Sequence, residues 1–204
     1  MKPLFLLLFC LFSPGVGGSE VHWNQPLSGR WDDSNMWSPH VPQTGDSVHF
    51  PFGEVPYTVT LESSVSVSIT QVHLAYQAKV NITISNTNAE FGLFTNDENE
   101  SSLGFNIINS NVKFLNDIKT SKWYVFARDS VVTLSGCTLK ESAISLVNSK
   151  GVLTSVTSSG LKVISDTSSS LFVSDSVIGG MESQSPIVFS GTKNVLETIQ
   201  VNST

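Results

Sequence analysis

From Tyr57 onward the chain alternates apolar and polar residues with a period of two. "YTVTL", "VSVSI", "KVNITIS", "SVVTLSG" and "LFVSDS" each place β-branched or aromatic residues at every second position, the pattern of a strand with one buried face. No window carries an apolar stripe at helical spacing, and no cap residue stands ahead of such a run. Seven of the eight prolines lie at or before Pro56, and none occurs from Tyr57 to Ser185. Proline removes a ladder donor, so that long gap predicts continuous sheet and an all-β chain.

The strands recur. "ITISNTNAEF" from Ile82, "FNIINSNVKF" from Phe105, "VTLSGCTLKE" from Val132 and "LFVSDSVIGG" from Leu171 share one plan: a short strand, a small polar corner, a second strand. Fainter copies start at Val152 and Leu196, so the starts are separated by 23, 27, 20, 19 and 25 residues. Self-similarity at this period predicts a solenoid, here a right-handed parallel β-helix, in which Val132 and Leu134 stack in the interior with Leu171 and Val173. The corner residues Asn86, Asn109, Ser135 and Ser174 are expected to satisfy backbone groups that each turn leaves unpaired. A β-sandwich is the alternative, since it also gives short strands at turn spacing. Asn-Gly and Asp-Gly hairpin steps are absent, which favours the solenoid.

The first third of the chain reads differently. Lys2, the run "LFLLLFCLF" and the small-residue exit to Gly18 predict a secretory signal peptide over 1–18. Residues 19–56 form a Trp- and Pro-rich stretch expected to cap the solenoid, and 57–204 its coils, continuing or incomplete at the C-terminus. Trp23, Trp31 and Trp37 are the apolar plates of this cap, and Gly45-Asp46 turns the chain into the first strands "SVHFP" and "YTVTL". A solenoid end left uncovered exposes pairing edges, so the far end is expected to be covered by further coils or a partner. Removal of the leader takes Cys10 with it and leaves Cys137, expected as a small buried hydrophobe.

Composition narrows the partners. The net charge is −6, with basic residues scattered rather than striped, which argues against nucleic acid. No second apolar run is long enough to span a bilayer, so no transmembrane span is expected. An extracellular protein or glycan is the expected partner, and the expected location is secreted or at the cell surface.

Candidate chemistry is sparse. Asp129 beside Arg128, Asp166 and Asp175 are the acids near coil corners, but Asp166 and Asp175 fall on different parts of their coils, and polysaccharide cleavage needs convergent carboxylates. Asp97, Glu98 and Glu100 form an acidic loop without the ligand spacing of a calcium loop. His22, His40, His49 and His73 lie in no metal-ligand spacing and read as cap or surface residues. No catalytic, cofactor-binding or metal-binding residue is therefore assigned, and no cofactor is expected. Sequons at Asn81, Asn99 and Asn202 are candidate N-glycosylation sites.

"SGRWDDSNMWSPHVPQTGDSVHFP" resembles the opening segment of secreted and cell-surface β-helical proteins: Gly-x-Trp, then Trp-Ser, then Pro-x-x-Gly-Asp-x-Val and an apolar strand. Over Gly29 to Pro51 it is similar to amnionless ectodomains and, more loosely, to G8-type domains; Gln43 stands where amnionless carries a cysteine. The later coils resemble the pectin-lyase-like superfamily in general pattern. The exposed face is polar, mildly acidic and without a convergent reactive cluster, so the expected function is a non-catalytic extracellular solenoid serving adhesion, matrix or receptor scaffolding, and the uncovered far end adds the expectation that it is the N-terminal part of a larger surface protein. Because the pectin-lyase-like superfamily includes polysaccharide lyases and hydrolases, a carbohydrate-active β-helix is the alternative it implies.

Overall fold

A computed structural model describes residues 18–62, 66–96, 101–115, 122–140, 142–159, 161–183, 187–190 and 195–201. The expected signal peptide, apart from Gly18, lies outside the described residues. So do Asn99, Asn202 and the acidic positions Asp97, Glu98 and Glu100.

The chain winds as a parallel β-solenoid of about six turns. Its strands align in a ten-stranded sheet, a seven-stranded sheet and a four-stranded sheet. The first sheet holds, among others, Ser47–Phe50, Val67–Leu74, Asn88–Asn96, Asn111–Leu115, Val131–Ser135, Lys150–Thr154 and Ser170–Ser174. The second runs through Tyr57–Glu62, Lys79–Ser85, Ser102–Ile108, Lys122–Arg128, Ser142–Val147 and Lys162–Ser165. The third starts at Thr138–Lys140. Apart from Trp37–Ser38, the strands pair in parallel with the equivalent strands of neighbouring coils, which two facing antiparallel layers cannot do. The sandwich alternative is thereby overturned.

Period-two alternation drives this arrangement, because it sends one side chain in and the next out. In Tyr57–Glu62 the residues Tyr57, Val59 and Leu61 are buried while their neighbours face outward. Stacked coils bring like positions together: Val59, Ile82, Phe105, Val125, Ile144 and Val163 form one interior column. Phe91, Phe105, Phe114 and Trp123 join across the interior, with ring centroids of 4.8 Å for Phe105–Phe114 and 5.2 Å for Phe114–Trp123. Each fully buried large side chain contributes about 1.5–3 kcal/mol. Cys137 is buried with them.

Two corners recur, and the repeat pattern had merged them. The segments from Ile82 and Phe105 turn from the second sheet to the first, whereas those from Val132 and Leu171 turn from the first to the third. The true coil along the second sheet, read from register, is 23, 20, 19 and 19 residues long, and the apparent 27-residue step came from aligning unlike corners. Val132 and Leu134 do share columns with Leu171 and Val173, but two coils apart, with Gly151 and Leu153 between. Leu171 and Leu146 fill the space a side chain at Gly151 would need.

The corners use left-handed backbone. Asn86, Asn109, Asp129 and Asn148 adopt positive φ at the first corner, and Gly136, Ser155 and Asp175 at the second. Asn, Asp and Gly tolerate that region best. Asn86 and Asn109 hold turning positions, but their side chains bond each other at 3.4 Å instead of the backbone groups expected of them. Ser135 and Ser174 end their strands one residue before the turning positions Gly136 and Asp175.

After Asn109, Asp129 and Asn148 comes an inward serine that does two jobs. Ser110, Ser130 and Ser149 donate to the carbonyls of Ile108, Arg128 and Val147 at 2.7, 2.6 and 2.7 Å. Their oxygens accept the backbone N–H of Thr87, Ser110 and Ser130 in the preceding coil at 3.2, 3.1 and 3.1 Å. Ser169 continues the column by accepting from Ser149. A buried N–H without such a partner costs about 1–3 kcal/mol, so this hydroxyl column stabilises every turn it passes.

Candidate functional site

The N-terminal end closes on aromatic rings. Glu20–Trp23 pairs in parallel with Ser47–Phe50, and Trp37–Ser38 lies antiparallel on its free side. Trp23, Trp31 and Trp37 are 2–3% exposed. The Trp23 ring stands edge-on to Trp37 at 4.8 Å, and Trp31 to Trp37 at 5.0 Å. The Trp37 indole N–H donates to the Trp31 carbonyl at 2.6 Å, and that of Trp23 to Leu27 at 3.1 Å. Gly45, at φ +94°, makes the turn. The buried Asp46 carboxylate then accepts from the backbone N–H of Ser19 at 2.8 Å and of Gln43 at 2.7 Å. Asp46 therefore ties the first strand to the loop before the second; its chemistry is spent on backbone.

The corner acids are occupied in the same way. Asp129 accepts from the Asn148 side-chain amide at 2.6 Å. Asp166 accepts from the Asn148 backbone N–H and from the hydroxyls of Ser169 and Ser168. The Ser169 hydrogen bond, with smaller help from Asn148 and Ser168, holds the Asp166 carboxyl below the usual carboxylate range. Asp175 turns the other corner, away from Asp166. In the cap, the Arg30 guanidinium at 2.9 Å lowers the exposed Asp32 carboxyl, and burial raises the Tyr57 phenol, which donates to the Pro51 carbonyl.

Three of the four histidines come together. His22, His49 and His73 occupy one register position on the outer face of the first sheet. Their rings follow one another at 4.6 and 5.1 Å, and His73 Nδ1 meets the Thr95 hydroxyl at 2.9 Å. The signal was present in "EVHW", "SVHF" and "QVHL", a Val-His-apolar triplet repeated three times, but the first copies sit inside the cap stretch and were not aligned with the third. His40 lies 3.7 Å from Asp46. Among the described residues, no group of three or more His, Cys, Asp or Glu is placed to hold a metal ion.

A concavity lies on the outer face of the second sheet, a groove of about 480 Å³. Register builds it. One outward column reads Thr58, Asn81, Gly104, Tyr124 and Ala143 before it reaches Lys162, and the next, beginning beyond Arg30, reads Thr60, Thr83, Asn106, Phe126, Ser145 and Ile164. Gly104 and Ala143 are low positions on either side of Tyr124, so that ring rises from the sheet and is 47% exposed. Asn81 Oδ1 occupies the space where a side chain at 104 would begin, so the amide leans across Gly104 toward Tyr124. No acid, base or histidine lines the groove. An uncharged trough with an aromatic platform, amides and hydroxyls suits a neutral polyhydroxylated ligand.

Of the candidate sites, Trp23, Trp31 and Trp37 pack together, Gly45 and Asp46 turn the chain into Ser47–Phe50, and Asn81 stands in the groove. Tyr124, Gly104 and Asn106 carried no signal, because their juxtaposition depends on coil lengths of 23 and 20 residues. The fold defines a parallel β-solenoid with a cluster of three tryptophans in its first described coil and a groove lined without charged side chains. No family model, no curated protein and no solved structure matches the chain. No helix among the described residues is long and apolar enough to cross a membrane.

Proposed function

We propose that the protein is a non-catalytic extracellular β-solenoid, an adhesion, matrix or receptor scaffold. The observation that carries this reading is the engagement of Asp46, Asp129 and Asp166 in hydrogen bonds to their own fold, beside a groove lined without carboxylates. The leader-like N-terminus and the likeness of Gly29 to Pro51 to amnionless and G8-type opening segments support the location. Expression with the native leader tests it: the reading expects a chain in the medium or on the cell surface that starts near Ser19. Retention inside the cell with residues 1–18 intact would contradict it.

The second reading is a carbohydrate-active solenoid, favoured by the uncovered ring of Tyr124 between Gly104 and Ala143. Incubation with polygalacturonate and hyaluronan separates the two. The scaffold reading expects no unsaturated oligosaccharide.

A further inference from the structure

We propose that the groove is the seat of a glycan carried by this chain: an N-acetylhexosamine joined to the Asn81 side-chain nitrogen, lying across Gly104 against the ring of Tyr124. The proposal rests on the extracellular reading, since the modifying machinery works on exported chains. Asn81-Ile82-Thr83 has the acceptor pattern, and both polar residues face outward on the strand Lys79–Ser85 while Ile82 between them is buried.

The transfer balances without any oxidant. With a lipid-pyrophosphate-linked oligosaccharide as donor, the bond from sugar C1 to Asn81 Nδ2 forms and the bond from C1 to the pyrophosphate oxygen breaks. The amide nitrogen loses one proton, and the lipid pyrophosphate leaves. Val80 and Ile82 flank the acceptor and are buried in the folded coil, so the reaction precedes pairing of this strand.

Three features of the site fit the attached sugar. Coils repeat every ~4.8 Å, so Tyr124, two coils from Asn81, is about 10 Å away, the reach of the asparagine side chain plus one sugar ring. Gly104, the residue between them, offers no side chain, and the Asn81 amide already leans over it. The sugar's C–H face meets the electron-rich face of Tyr124, while its hydroxyl and acetamido groups find Thr83 and Asn106 in the adjoining column. The groove's lack of charge matches a neutral sugar.

The test expresses the chain from Ser19 behind the leader of another secreted protein, so that its outcome does not depend on residues 1–18, with the native-leader chain in parallel. Peptide mass spectrometry reads Asn81 occupancy, and native-state release by a peptide:N-glycosidase reads shielding. The expected result is an occupied Asn81 whose glycan is released about fivefold or more slowly than from the Tyr124→Ala chain, with Tyr124→Phe retaining the protection. An unmodified Asn81 in the exported chain overturns the proposal, as does equal release from the wild-type and Tyr124→Ala chains. Submillimolar binding of a free N-acetylhexosamine oligomer to the Asn81→Gln chain, lost on Tyr124→Ala, would give the groove to an external sugar and also overturn it. Failure of the native leader alone, with Asn81 occupied behind the foreign one, counts against the extracellular reading and not against the site.

Discussion

The aromatic end and the serine corners solve the same problem by opposite means. Both must complete a stack of parallel strands, yet the end uses three tryptophans that touch one another once, whereas the corners use a small hydroxyl repeated from coil to coil. Among the described residues no parallel strand lies beyond Glu20–Trp23, and there the large rings pack together while Asp46 accepts backbone N–H groups. In the middle every residue has a copy above and below, and a serine suffices because its neighbours are serines. The comparison predicts that damage at the end is large and local, and that damage in the corner column is smaller and shared.

Trp37→Ala has the largest expected effect. It empties the centre of the ring cluster and removes the donor to Trp31, and the expected loss is about 3–5 kcal/mol, read by urea denaturation, with a rise in aggregation because the first edge opens. Asp46→Ala comes next at about 2–3 kcal/mol, since two hydrogen bonds to a buried carboxylate go together. Ser130→Ala leaves the Ser110 N–H without its acceptor and costs about 2 kcal/mol. Pairing it with Ser149→Ala is expected to be non-additive because the two share a column, whereas pairing it with Asp46→Ala is expected to be additive.

Acid titration gives the smallest effect. Asp166 has its folded carboxyl below the unfolded value of 3.8, so the stabilisation it gives is full above that value and fades as the pH falls through the folded one. Comparing wild type with Asp166→Asn by thermal melts from pH 6 down to pH 2 is expected to show a gap that narrows only below about pH 4.

The residues explain what was readable beforehand. Alternation in "YTVTL" and "KVNITIS" reports burial directly, so strands and interior positions such as Val59 and Ile82 follow from local pattern. Register does not. Both corners need a left-handed residue followed by a small inward one, so "INS" at Ile108–Ser110 and "SGC" at Ser135–Cys137 look alike although they turn between different sheets. The groove lies a step further off, since Asn81, Gly104 and Tyr124 become neighbours only when insertions between coils are counted correctly. The histidine column was hidden for the same reason, its first two members belonging to the irregular end.

Cysteine cross-linking across the coils tests the stacking most directly. In a Cys137→Ala background, Thr133→Cys with Val152→Cys places two outward side chains at one register position of adjacent coils, within reach of a disulfide at about 5 Å between Cα atoms. Thr133→Cys with Phe172→Cys sets the same columns two coils apart, at about 10 Å. The account predicts rapid intramolecular oxidation of the first pair and none of the second; a first pair that stays reduced, or a second that closes as fast, would contradict a shared winding axis.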